Sequence, residues 1–131
     1  MTTEEAHGFV RSGGTWTYQA KLLPPDGAAN NEFGSSVAIY GDSIVVGADG
    51  IGYHSGSGRV CDENGRHSGS AHVFVRSGEK WTHKIKLMAP DGVPNDWFGG
   101  SVTIFWDSIV VGAELDDDNG VDSGSAHVFV V

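Results

Sequence analysis

The chain repeats itself, and that constrains its fold more than any single residue does. The block AHGFVRSGGTW (Ala6–Trp16) returns as AHVFVRSGEKW (Ala71–Trp81), and Lys21–Ala48 returns as Lys86–Ala113. Both pairs keep one offset of 65 residues, with no gap inside either block. Self-similarity at a fixed period is the signature of an array of small structural units, none of which can bury its apolar face alone.

After Ala48 and Ala113 the two copies diverge and then rejoin. Cys61–Val75 (CDENGRHSGSAHVFV) matches Asp116–Val130 (DDDNGVDSGSAHVFV) at an offset of 55 residues, so the first copy carries about ten extra residues near Ile51–Val60. Within the insert, His54–Val60 (HSGSGRV) resembles His67–Val73 (HSGSAHV) just downstream. It reads as an extra hairpin with CDENG as its turn. The chain is thus one repeat region over 1–131, with units of approximately 6–70 and 71–131.

The residue types within each unit are those of strands. Twenty glycines and recurring Ser-Gly, Asp-Gly and Asn-Gly pairs mark frequent turns, and no segment has the periodicity of a long amphipathic helix. Each unit parses into SSVAIY or SVTIFW, then SIVVGA, then SAHVFVR, then WTYQAKLL or WTHKIKLM. Gly41-Asp42 and Trp106-Asp107 separate the first two segments, a spacing that suits a two-residue hairpin turn with positive φ at one position. Four short antiparallel strands every 55 to 65 residues is the arithmetic of a β-propeller blade. The fold class is all-β, with about two blades per chain, either an incomplete propeller or a ring completed by oligomerisation.

Phe33–Ala48 (FGSSVAIYGDSIVVGA) and Phe98–Ala113 (FGGSVTIFWDSIVVGA) resemble FG-GAP repeats, which build the propeller of integrin α-subunits. The Phe-Gly pair is present at Phe33-Gly34 and Phe98-Gly99. The Gly-Ala pair is present at Gly47-Ala48 and Gly112-Ala113, followed by Asp49 and Glu114 where the family has Pro. The resemblance implies a non-enzymatic protein- or glycan-binding or adhesion module, at the cell surface or outside the cell. The alternative is a small structural subunit that caps or bridges a larger assembly. On physical grounds, Phe33 and Phe98 anchor a strand, and the glycine after each admits close backbone approach. Trp16, Trp81, Phe74 and Phe129 fall in the outer strands and are expected to pack between blades.

Many FG-GAP repeats resemble a calcium loop between Phe-Gly and Gly-Ala, but here that interval holds only Tyr40–Ser43 and Phe105–Ser108. One carboxylate in so short a turn falls far below the about six to eight oxygens that calcium takes. No cofactor is therefore required. A weaker calcium candidate is the acidic loop with Asp116, Asp117, Asp118, Asn119 and Asp122, whose carboxylates would repel one another less around a hard cation. Its spacing does not match an EF-hand, and the first copy puts Cys61 and His67 where Asp116 and Asp122 stand. A solvated turn is the plainer reading.

No catalytic constellation is visible. His7, His72 and His127 occupy one repeated strand position, and no serine lies in a nucleophile elbow. His54, His67 and Cys61 lack paired metal-ligand spacing, and the single cysteine excludes an internal disulfide. The formal net charge of −9 argues against nucleic acid as a partner. No segment has the length of a membrane span, and the first residues, MTTEEAHGFV, do not read as a signal peptide.

Propellers close with about four to eight blades, so roughly two need company: more chain, further copies, or another protein. The first segments, AHGFVR and WTYQAKLL, are of the third and fourth types, and the last, SAHVFVV, is of the third. Trp16–Leu23 of a second copy would complete the last blade and leave AHGFVR redundant. Ligands of propellers are expected at loops, which makes the insert Ile51–Asn64 the contact candidate, with Tyr53, His54, Asp62, Glu63 and Asn64, alongside Glu114–Asp122. Tyr53, Trp97 and Trp106 are aromatics that would stack on sugars if exposed, with packing the first expectation for the two tryptophans.

Overall fold

The computed structural model describes residues 5–25, 33–48, 69–88, 98–113 and 125–130. They form nine strands: β1 (Ala6–Ser12), β2 (Thr15–Leu22), β3 (Phe33–Tyr40), β4 (Ser43–Ala48), β5 (Ser70–Ser77), β6 (Lys80–Leu87), β7 (Phe98–Phe105), β8 (Ser108–Ala113) and β9 (Ser125–Val130). All pair antiparallel, as β1-β2, β3-β4-β5-β6 and β7-β8-β9. The fold is all-β, with one complete four-stranded blade between two incomplete ones. These are called the first, second and third sheets below.

The tight turns form for local reasons. Gly13 and Gly14 between β1 and β2 both have positive φ (59° and 83°), the requirement of a two-residue turn that follows the strand twist. Gly41 opens the β3–β4 turn at φ 58°, and Trp106 holds the same place between β7 and β8 at φ 56°. The repeat extends to irregularities. The register slips between Gly8 and Phe9 in the first sheet and between Val73 and Phe74 in the second, at equivalent positions.

β4 (SIVVGA) is apolar on both sides because it lies between two neighbours. Ile44, Val46 and Ala48 join Leu22, Phe33 and Phe74 in a core shared with the first sheet. Val45 faces the other way, into a core with Val73, Phe98, Ile104, Ile109 and Val111 shared with the third sheet. Burying each such side chain stabilises the fold by about 1.5–3 kcal/mol relative to exposure. β8 has the same sequence but alternates between buried and half-buried, since nothing packs on its outer side among the described residues.

The Phe-Gly pair is the device that joins one sheet to the next. Phe33 and Phe98 are buried, and the glycine after each adopts φ +97°. That backbone brings Gly99 against the carbonyl of Ser70 and the amide of Ala48, where no Cβ would fit. Gly34 meets the carbonyl of Glu5 in the corresponding way, a Cβ there falling 2.9 Å from the oxygen. Ser36 donates to the Gly99 carbonyl at 2.8 Å, and a parallel bridge links Gly69 to Phe98. Close approach is what the two glycines were expected to supply, and they do so between sheets.

Trp16 departs from expectation. Phe74 is buried, while Trp81 and Phe129 pack against the cores half-buried. Trp81 also donates its indole N–H to Gln19 on β2 at 2.7 Å. Trp16, its counterpart, is 65% exposed, because among the described residues no sheet stands on the outer side of the first sheet to supply an acceptor.

Candidate functional site

The two ends of the sheets differ. At one end lie the tight turns β1–β2, β3–β4, β5–β6 and β7–β8. At the other, Ala48 pairs with Ser70 and Ala113 with Ser125, and the long connections depart. Tyr53, His54, Asp62, Glu63 and Asn64 belong to the connection from β4 to β5. Asp116, Asp117, Asp118, Asn119 and Asp122 belong to that from β8 to β9. All ten lie outside the described residues, as do Cys61, His67 and Trp97. Among the described residues no group of three or more His, Cys, Asp or Glu is arranged to hold a metal ion.

The described site is at the turn end, between β3–β4 and β7–β8. Tyr40, Phe105 and Trp106 form an aromatic group, with Tyr40 4.9 Å from Phe105 and 5.6 Å from Trp106 between ring centroids. Phe105 and Trp106 stand edge to face at 6.0 Å. Asp42, Ser43, Asp107 and Ser108 line the same open cleft, of about 780 Å³. Trp106 is 69% exposed, so the expectation that it packs is overturned. It occupies a turn position where the first copy has Gly41, and both residues have positive φ.

Backbone of this kind costs a non-glycine residue about 1–2 kcal/mol, and such strain tends to persist at binding sites. Sequence reasoning weighed Asp42 and Asp107 only as calcium ligands and did not single out Tyr40 or Phe105 as contacts. The signal that marks them is the difference between Gly41 and Trp106, two residues that the repeat otherwise makes equivalent.

The cleft is held by its flank. Arg76 donates through Nη2 and Nε to the Asp42 carboxylate at 2.7 and 3.1 Å, and its backbone N–H donates to the Asp42 carbonyl at 2.9 Å. The guanidinium lies over the Trp81 ring at 5.4 Å. Asp42 is thereby engaged as a tie between the β3–β4 turn and the end of β5. Asp107 accepts a hydrogen bond from the Ser108 hydroxyl at 3.3 Å, and both residues line the cleft.

The repeated histidines serve the sheets. His72 is buried and shares a hydrogen bond with His83 at 3.1 Å and another with Ser70 at 3.3 Å. His7 meets Tyr18, the counterpart of His83, at 3.2 Å, and His127 meets Ser125 at 3.2 Å. The rings of His72 and His127 lie edge-on against Phe33 and Phe98.

Comparison with curated proteins gives no match. A family profile described as the FG-GAP repeat matches residues 16–74 and 81–129, each match running from an equivalent tryptophan to an equivalent phenylalanine. These matches span both Phe-Gly interlocks and both Gly-Ala strands, and the chain belongs to the FG-GAP repeat family.

Proposed function

We propose that the chain is a non-enzymatic binding module of the β-propeller type, and that the cleft at Trp106 receives a glycan. One observation carries this reading: Trp106 is an exposed indole in a strained turn, beside Tyr40 and the Asp107 carboxylate. An exposed ring face takes up the apolar C–H face of a sugar, and a carboxylate beside it accepts hydrogen bonds from the hydroxyls. Neither contact requires acid–base chemistry or a metal.

The test is binding on a glycan array followed by calorimetry on the best ligand, with Trp106→Gly and Asp107→Ala. Trp106→Gly restores the residue of the first copy and should abolish binding while leaving the fold intact. Binding that survives Trp106→Gly and is lost with Tyr53→Ala would move the ligand to the loop end. Binding of a protein and of no glycan would replace the sugar with a peptide surface.

A second reading, a small structural subunit of a larger assembly, is favoured by the uncovered face of β3, where Val37 and Ile39 are 58% and 63% exposed. Co-purification with other proteins and no glycan binding would support it.

A further inference from the structure

The two turns that line the cleft carry the same aspartate in different company. In the second sheet, the Asp42 carboxylate accepts from the Arg76 guanidinium at 2.7 and 3.1 Å, and that guanidinium lies over the Trp81 ring at 5.4 Å. An aromatic face and a carboxylate here share one cation. Both favour positive charge, the ring through its quadrupole and the carboxylate through its own charge.

The third sheet changes two parts of this arrangement. Ser43 pairs with Val75 and Ser108 with Val130, so the residues that follow the two valines are equivalent: Arg76 in one case, Val131 in the other. The place of the arginine is thus taken by a side chain with no donor and no charge. Asp107, the equivalent of Asp42, accepts from the Ser108 hydroxyl and forms no ion pair among the described residues. Beside it in the turn, the exposed Trp106 stands in place of Gly41. An internal cation is missing where an indole has been added.

The charge of the cleft follows. Asp42 and Asp107 are the charged residues that line it, with no lysine or arginine among the described lining residues. Arg76 offsets the charge of Asp42, and nothing comparable offsets that of Asp107.

From this exchange we infer that the cleft selects a glycan with a free, protonated amine, the ammonium group of an amino sugar meeting Asp107 and Trp106 as the Arg76 guanidinium meets Asp42 and Trp81. The inference rests on the glycan reading above and narrows it to one class of sugar. An N-acetylated sugar of the same shape has no charge and keeps only the contact of its ring with the indole. A sulfated or carboxylated sugar brings an anion to a carboxylate that no internal cation offsets, and like charges repel. The contact lies at an open surface, so the preference fades as salt screens it.

The test is calorimetry on the full chain with two oligosaccharides of equal length, one of glucosamine and one of N-acetylglucosamine. It is run at a pH where the amine is protonated, in low and in high salt. The glucosamine oligomer should bind about five- to tenfold more tightly in low salt, as an exposed ion pair and an exposed cation–π contact together supply. High salt should shrink the difference. Asp107→Asn, with its far-ultraviolet β signature retained, should bring the two oligomers to equal affinity. Equal affinities in the parent protein, or tighter binding of the N-acetylated oligomer, would overturn the inference and leave the glycan reading standing. So would a preference that Asp107→Asn leaves unchanged, or binding only of a neutral or acidic glycan that Trp106→Gly abolishes. No binding of either oligomer or of any glycan on an array would overturn both.

Discussion

Ser36 on β3 donates a 2.8 Å hydrogen bond to the carbonyl of Gly99 on β7, across the boundary between two sheets. Beside it, Gly47 packs its bare Cα against the same Gly99 backbone. A hydroxyl and a missing side chain together make a seat for a backbone segment.

Gly47→Ala should therefore cost about 1–3 kcal/mol, the range for an added methyl in a packed interior. Gly112→Ala should cost less, since the atom in the way is the hydroxyl of Ser101, which can rotate. Ser36→Ala should cost about 1 kcal/mol for the lost hydrogen bond. Urea unfolding of the three variants at one protein concentration checks the ranking.

Trp106→Gly should leave stability within about 1 kcal/mol of the parent. Relief of a left-handed backbone returns about 1–2 kcal/mol, against ring contacts with Tyr40 and Phe105 of about 0.5–1.5 kcal/mol. Gly41→Ala, which introduces the same strain with no aromatic contact, should destabilise by about 1 kcal/mol. Thermal melts of both variants separate strain from packing.

Arg76 and Asp42 form a short ion pair with side chains 30% and 68% exposed. Solvent screening at that exposure limits its net worth to about 0.2–1 kcal/mol. A double-mutant cycle with Arg76→Ala and Asp42→Asn should give a coupling in that range that shrinks as salt is raised. The Arg76 single variant should lose somewhat more than the coupling, because its guanidinium also covers Trp81.

Chelation of divalent ions should leave the melting temperature unchanged, since each turn between Phe-Gly and Gly-Ala carries one carboxylate, against the about six to eight oxygens that calcium takes. A rise in melting temperature on adding millimolar calcium to the chelated protein, absent in Asp117→Asn/Asp118→Asn, would locate a calcium site in the Asp116–Asp122 loop.

The strands were legible because they leave local marks. Gly41 and Gly13-Gly14 announce turns, SIVVGA announces a strand covered on both sides, and the 65-residue offset ties each element to its twin. Cover by neighbours was not legible, because it depends on what stands alongside. Ile39 and Ile104 have the same identity and setting in the sequence, yet one is bare and the other buried. Trp16 was misread for the same reason, as its partner would have to come from a sheet the described residues do not contain. Trp106 was misread because packing is the first expectation for a tryptophan, whereas here it stands exposed in a turn at positive φ. The loop candidates at Tyr53–Asn64 and Asp116–Asp122 rest on sequence alone.

The sequence unit and the sheet are out of phase: the boundary near residue 70 falls at the start of β5, inside the second sheet. Severing the chain there would give two pieces that each hold half of one blade, and each would have its missing half in the other. Reunion would rebuild β3–β6 from both fragments. That makes residues 69–70 a natural split point for a two-part reporter, whereas a cut just after Leu87 would keep that sheet whole on one fragment and leave only the side-chain packing and Phe-Gly contact between the second and third sheets to rejoin them.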